Sequence, residues 1–462
     1  MKDKILNIYV PILIGFILYL FLIISLIDKY SIGVLFTFIA NILLLTIFMI
    51  KILKKGNMYF EIILCIFYIL FYIIAPIIQL NRGQYPIPFH IKEGSVIKAN
   101  IINFVFLFVF ILVRWTNFKI NKNTLETNDV KKKWNISKLT FLILVLIFLV
   151  IFIPNIKNIF LKILYRSSSN NGLEKGMNLI IAKCIYFIPL MFVYNNIIKY
   201  KEKKIKFIWL LFSFILLIFC KNPFTEKRNG LAPIYLSILI YYFFKNVRLR
   251  RFFIGTLIII IIIFPLSSII THSKISLNDI KSGNMNVDLN MIIDQFHELH
   301  YDAYANLNLT FEVVQEDNIQ FGRQLLGSVL FFVPRSIWAS KPVSSGELLG
   351  DYLIENYGYN FNNLSCTITA EAYLNGKYIG VIVFAVILAI ISKYVCELIE
   401  KDGYYLLVGM YISVHMFFLL RGDLMNGIAY LVGPLLAIYI IPLILERIVA
   451  LFKMRKYKNK GD

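Results

Sequence analysis

The sequence predicts an all-α polytopic membrane protein. Of its 462 residues, 59% are hydrophobic and only 16% are charged, a balance that excludes a soluble globular domain of this length. Apolar runs long enough to cross about 30 Å of hydrocarbon recur along the chain. One long polar segment, 272–377, interrupts them and divides the chain into three parts.

The spans follow one another in order. The N-terminal part, 1–271, contains nine apolar runs, at 8–27, 31–52, 59–79, 96–115, 138–156, 177–198, 206–220, 230–244 and 252–271. The C-terminal part, 378–462, contains three more and a basic tail, with runs at 378–396, 403–420 and 427–446. We therefore expect about twelve transmembrane helices. A further run, 325–338, contains Pro334 and Arg335 and is too short for a span, so it predicts a re-entrant or interfacial helix.

The distribution of Lys and Arg predicts the orientation. With the N-terminus in the cytoplasm, the basic loops and the basic C-terminal tail lie on one side, as the positive-inside rule requires. Both termini are then cytoplasmic, and 272–377 is a large outward loop. The net charge of +21 falls mainly in cytoplasmic loops, where it attracts anionic lipid and gives little support to nucleic-acid binding. The first span lacks a small-residue cleavage site, so we expect a retained helix rather than a signal peptide.

The five cysteines imply neither a disulfide framework nor a metal cluster, because four lie in or beside spans and Cys366 stands alone in the outer loop. We predict no metal and no cofactor.

Basic residues gather at the outer ends of the spans. An arginine there is either a snorkelling anchor or an anion ligand. Arg228 precedes a new span, where a helix N-terminus favours anions, and Arg335 follows a proline that would direct it away from hydrocarbon. Arg421 stands two residues before Asp423, which could orient it in a bidentate pair, so structural pairing and phosphate binding both stay open.

The first part of the outer loop, 288–316, has the apolar spacing of an amphipathic helix. This predicts a helix that lies on the outer leaflet or caps a cavity. His297 and His300 would share one face with Asp294, either as a general base or as solvated surface residues. Glu371, just before a glycine-marked span, competes for the role of base.

Three motifs resemble those of a known family. They are Pro-Arg-Ser-Ile-Trp followed by Lys-Pro within 334–342, Thr-x-x-x-Glu-x-Tyr-x-Asn-Gly at 367–376, and Lys-Arg-Asn-Gly at 227–230. The chain resembles the bacterial oligosaccharide repeat-unit polymerases, the Wzy-type O-antigen and capsule polymerases. Relatives often show Ser-Arg-Gly at the third motif, so the geometry of Arg228 departs from the family pattern.

The resemblance implies a GT-C-like architecture and a membrane glycosyltransferase that joins repeat units carried on undecaprenyl diphosphate. It also implies that a flippase and a chain-length regulator are partners. The implied diphosphate ligands are basic, namely Arg228, Arg335, Arg421 and Lys341. Glu371 or His300 would take the acceptor proton, and Trp338 or Tyr373 would stack on a sugar ring.

Two other classes stay open. A glycan ligase of related architecture shares the donor chemistry and differs in its acceptor, so only the product separates it from a polymerase. A lipid-linked oligosaccharide flippase or transporter needs a polar path across the bilayer, and the scarcity of charge at mid-span disfavours it.

Overall fold

The computed structural model of the protein describes residues 22–55, 58–116, 136–164, 177–223, 228–241, 293–316, 319–401 and 403–458, together with residue 15. The regular secondary structure in these ranges is helical, and none of them contains a strand. In chain order the helices are α1 (Ile32–Lys55), α2 (Tyr59–Arg82), α3 (Glu93–Trp115), α4 (Lys138–Leu164), α5 (Met177–Lys201), α6 (Phe207–Cys220), α7 (Arg228–Leu239), α8 (Ala303–Glu316), α9 (Arg323–Val329), α10 (Ser345–Tyr357), α11 (Ile368–Glu400), α12 (Gly403–Arg421) and α13 (Leu424–Leu435, continued by Leu436–Ile440 and Ile441–Lys458).

Six of these helices are long and apolar enough to cross a bilayer, namely Ile32–Lys54, Tyr59–Arg82, Glu93–Trp115, Ile368–Glu400, Gly403–Arg421 and Leu424–Phe452. Shorter apolar helices lie at Lys138–Val150, Phe207–Cys220 and Gly230–Leu239. The chain is therefore an all-α membrane protein, as its composition predicts. The predicted span at 252–271 and most of the one at 8–27 lie outside the described residues.

Two long helices stay continuous past a proline by widening one turn. The π-helical turn Ile69–Ile74 of α2 precedes Pro76, and the turn Leu436–Ile440 of α13 precedes Pro442. A proline has no N–H to donate to the preceding turn, and a wide turn accommodates the missing hydrogen bond.

α2 is the most buried span and lies at the centre of the bundle. Near its start, the fully buried Glu61 accepts a hydrogen bond from Arg114 Nε of α3 at 2.6 Å and one from Ser392 Oγ of α11 at 2.6 Å. A charge inside a membrane bundle is stable only when it is paired, so this ion pair ties three spans together. α1, α4 and α6 instead expose large apolar side chains, as lipid-facing helices do.

α11 bends immediately before the apolar span that the sequence predicts. Gly376 (φ −166°, ψ 24°) and Lys377 (φ 47°, ψ −135°) leave helical geometry and separate the buried turns 368–375 from the long apolar part. A Cβ on Gly380 would lie 2.0 Å from the carbonyl oxygen of Ala372, so only glycine fits beside the bend. The apolar span predicted at 378–396 thus begins where the bend ends.

The prediction of an amphipathic surface helix over 288–316 was wrong for the described part, 293–316, and residues 288–292 lie outside the described residues. Two short 3₁₀ turns precede α8, so His297 and His300 do not share a helical face. α8 is buried on both faces, including the polar side chains of Asn306 and Asn308. The Tyr304 hydroxyl donates to Asn100 Oδ1 of α3 at 3.0 Å. The polar face that suggested solvent contact is therefore inside the bundle, where its groups form hydrogen bonds.

The helix expected over 325–338 is shorter than predicted. α9 ends at Val329, and turns follow as far as Lys341. A helix of seven residues rises about 10 Å, roughly a third of the hydrocarbon thickness. This segment therefore does not cross a bilayer as a helix.

Candidate functional site

Several helix ends converge at one end of the bundle. α11 begins there with Thr367, whose side chain accepts from the backbone N–H of Ala370. α12 ends there at Arg421, and α13 begins after Asp423, whose carboxylate accepts from the N–H of Asn426 at 2.8 Å. These caps fix the backbone of both helix starts and direct the polar residues around them toward one another.

Glu371, in the first turn of α11, lies at the centre of this convergence and is 1% exposed. Its Oε1 accepts from Ser345 Oγ of α10 at 2.7 Å, and its Oε2 accepts from the backbone N–H of Leu424 of α13 at 3.3 Å. These two donors fix the position of the Glu371 carboxyl group beside the N-terminal end of α13. The same contacts shield the Glu371 carboxyl group from solvent.

Two further titratable groups adjoin Glu371. Burial raises the pKa of Asp423 above its usual range. Burial, with the neighbouring carboxyls of Glu371 and Asp423, raises the pKa of the fully buried Cys366 thiol well above its ordinary value. The site therefore favours protonated forms of Asp423 and Cys366 at neutral pH more than water does.

α10 approaches this centre closely because it presents glycine to a neighbouring extended segment. A Cβ on Gly346 would lie 2.2 Å from the carbonyl oxygen of Leu364, and one on Gly350 would lie 2.3 Å from that of Asn362. Larger side chains would force α10 away. The two glycines thus hold Ser345 within reach of Glu371.

A second polar cluster lies beside the first and holds the chain that leads into α11. Asp302, 2% exposed, accepts from Ser365 Oγ at 2.7 Å and from Asn306 Nδ2 at 2.9 Å. Arg421 pairs with Asp302 at 3.1 Å and also donates to the carbonyl oxygens of Leu299 (2.8 Å) and His300 (3.0 Å). Of the two alternatives left open for Arg421, the structure contains a structural pair, although its partner is Asp302 and not Asp423, which caps α13.

Three cationic side chains meet at a surface turn, which we call the basic turn (Arg323, Arg335 and Lys341). Arg323 donates to the carbonyl oxygen of Ser340 at 2.9 Å, and Arg335 donates to that of Lys341 at 2.8 Å. Burial and the charge of Arg335 lower the pKa of Lys341. Among the described ion pairs, none involves these three residues. The exposed Arg323 and Arg335 therefore present positive charge suited to an anion, while the Lys341 ammonium also donates to the carbonyl oxygens of Phe331 and Val333.

The basic turn adjoins the Glu371 site. A Cβ on Gly327 of α9 would lie 2.6 Å from Pro342 and 3.0 Å from Met425 of α13, so α9, the turn and α13 are in contact. Ser345 lies four positions after Lys341, which limits their Cα distance to about 14 Å. The positive charge and the buried carboxyl thus belong to one region of the molecule.

The other predicted residues differ in their surroundings. Trp338 lies on the same turn and donates from its indole N–H to Ser340 Oγ at 3.1 Å. Tyr373 is buried, with its ring 5.0 Å from that of Phe311, so it packs inside the protein rather than offering a face to a sugar. The side chain of His300 is partly exposed, whereas Arg228 is described only by its backbone at the start of α7.

Sequence reasoning missed Asp302 and Ser345, and it did not indicate that Cys366 adjoins Glu371. Only Ser345 had a local signal, because Ser344 and Glu347 form a helix-start pattern in which Ser344 accepts from the Glu347 N–H at 3.3 Å. Nothing near Asp302 in the chain indicates its partner Arg421.

The described residues contain no group of three or more His, Cys, Asp or Glu side chains arranged to hold a metal ion. Comparison of the chain with family models, with curated proteins and with solved structures found no match.

Proposed function

We propose that this protein is a membrane glycosyltransferase that polymerises oligosaccharide repeat units carried on undecaprenyl diphosphate. Its product would be an O-antigen, capsular or exopolysaccharide chain, made at the outer face of a bacterial cytoplasmic membrane. The three motifs described above support the family. The observation that carries the proposal is that a surface turn rich in cations adjoins the region that contains the buried carboxyl group of Glu371.

The reaction requires positive charge at the leaving group. A hydroxyl of the acceptor sugar attacks the anomeric carbon of the donor glycan, and the bond from that carbon to the carrier diphosphate breaks. The electron pair of the broken bond stays on the diphosphate. Arg335 and Lys341 hold this group, and their charge stabilises the negative charge that develops on it.

The acceptor hydroxyl must also lose its proton. Glu371 is the base in this proposal, because its carboxylate is held by two donors at a fixed position close to the basic turn. His300 is the alternative base. Movement of the first turn of α10 would open Glu371 to the acceptor.

Arg421 takes a different role from the one the resemblance implies. Three of its hydrogen bonds go to Asp302 and to backbone carbonyls of the preceding turn. We assign it to holding the chain before α11, with Arg335 and Lys341 as the diphosphate ligands.

The test is a gel profile of surface glycan from cells that lack the protein, complemented with the intact chain, with Arg335→Ala or with Arg82→Ala at matched membrane abundance. Arg82 is a control at the same end of the bundle, in a surface ion pair with Asp294. We expect a ladder of repeats with the intact chain and Arg82→Ala, and single repeats only with Arg335→Ala. A full ladder with Arg335→Ala would refute its role.

The same gels separate the alternatives. A ladder that forms on the lipid carrier in cells lacking the protein, but is not attached to its final acceptor, would indicate a ligase. Loss of all outward glycan with inward accumulation of lipid-linked repeats would indicate a flippase.

A further inference from the structure

The segment 319–341 has an inverted distribution of polar and apolar side chains. On α9, the small or polar residues Gln324, Gly327 and Ser328 are buried against the protein. Large apolar side chains project outward instead, namely Phe321 (84% exposed), Leu326 (51%), Val329 (55%) and Ile337 (77%). A helix in water would place these groups the other way round, so the outward face fits a nonpolar environment.

The charge of the same segment has one sign. Between 319 and 341 the sequence contains the three cations of the basic turn and no Asp or Glu. Arg323 and Arg335 are exposed and converge on the neighbouring carbonyls of Ser340 and Lys341. Like charges held together repel one another, and an anion between them relieves that repulsion.

We infer that segment 319–341 is a membrane-interface element that binds anionic phospholipid. The four exposed apolar side chains enter the acyl region of the bilayer, and Arg323 binds a headgroup phosphate at the adjoining interface. Long arginine side chains reach the interface from such positions, and each basic residue near an anionic surface strengthens binding by about 1 kcal/mol. Phospholipid binding requires neither a glycan nor a lipid carrier, so it is tested independently of the proposed transferase activity, which assigns Arg335 and Lys341 of the same segment to the carrier diphosphate.

The position of the element is tested with a nitroxide label in nanodiscs that contain no isoprenoid diphosphate. Ile337→Cys carries the label, Glu355→Cys on the exposed face of α10 is the aqueous control, and the chain without an added cysteine gives the background. We expect the label at 337 to collide more with oxygen than with a water-soluble nickel complex, and the label at 355 to show the reverse. Aqueous behaviour at 337 equal to that at 355 would overturn the inference.

The lipid preference is tested by raising the mole fraction of phosphatidylglycerol in phosphatidylcholine nanodiscs and following the mobility of the label at 337. We expect mobility to fall as the anionic lipid increases. Arg323→Gln should raise the fraction needed for half of the change about fivefold, the factor expected from one basic contact. Arg82→Gln, which removes an exposed charge at the same end, should leave the midpoint unchanged. Equal midpoints for Arg323→Gln and the parent chain, or equal shifts for both variants, would refute specific binding by Arg323.

Discussion

Replacement of Arg421 by alanine should destabilise the fold strongly. The change removes hydrogen bonds to the carbonyl oxygens of Leu299 and His300 and leaves the carboxylate of Asp302 without its ion-pair partner. The Asp302 side chain is only 3% exposed, and breaking such a buried pair costs about 3–5 kcal/mol. Because the Arg421 side chain is 29% exposed, water offsets part of this, and we expect the free energy of unfolding to fall by about 3 kcal/mol.

The assay is equilibrium unfolding of the purified protein in mixed micelles with increasing denaturing detergent. Arg82→Ala is the matched control, since its ion pair with Asp294 is exposed on both sides (33% and 59%) and should contribute at most about 1 kcal/mol. The double variant Asp302→Asn with Arg421→Ala should be more stable than Arg421→Ala alone, because it leaves no unpaired charge. Equal losses for Arg421→Ala and Arg82→Ala would refute the argument.

Three further predictions concern the groups around Glu371. Gly346→Ala should lower the thermal unfolding midpoint, because the new Cβ would meet the carbonyl oxygen of Leu364. Gly94→Ala, which adds a Cβ in open space, is the control and should leave the midpoint unchanged. Equal midpoints for the two variants would contradict this. Cys366 should react with a small maleimide at pH 8 only after unfolding, since it is buried and the pKa of its thiol is raised, and mass spectrometry of its peptide would reveal labelling of the folded protein. The raised pKa of Asp423 means that the folded state binds this proton more tightly than the unfolded state, so its contribution to stability should decline as pH rises above about 4. Asp423→Asn removes this decline, so the free energy of unfolding of the variant relative to that of the parent should rise with pH, and a difference that does not change with pH would contradict this.

The long apolar helices were predictable because a bilayer imposes a length and a composition on each span. The bend in α11 also follows from the sequence in part, because Gly376 and Gly380 flank the start of the apolar run predicted at 378–396. The six helices long enough to span confirm the class of protein, whereas the number of twelve spans and the orientation stay predictions.

The polar contacts were not predictable, because they depend on which helix ends meet. Asp302 and Arg421 are 119 residues apart in the chain, and Ser345 reaches Glu371 only because two glycines let α10 pack closely. Apolar spacing also failed for α8, since an interior helix with bonded polar groups has the same pattern as a surface helix. Arg335 could be singled out because it follows a proline in an apolar run, and Lys341 because its positive charge lies three positions beyond that run. The sequence alone did not indicate that this segment packs against α13.

The most direct test of the central claim is polymerisation by the purified protein in nanodiscs supplied with lipid-linked repeats, followed as a gel ladder against time. Glu371→Gln keeps the shape of the side chain and removes its basicity, and Glu347→Gln, on the exposed start of α10, is the control. If Glu371 is the base, its variant should form the ladder about 100-fold more slowly or worse, while Glu347→Gln keeps the parent rate. A ladder from Glu371→Gln at the parent rate would refute the assignment of the base, and the absence of any ladder from the intact protein would contradict the proposed polymerase.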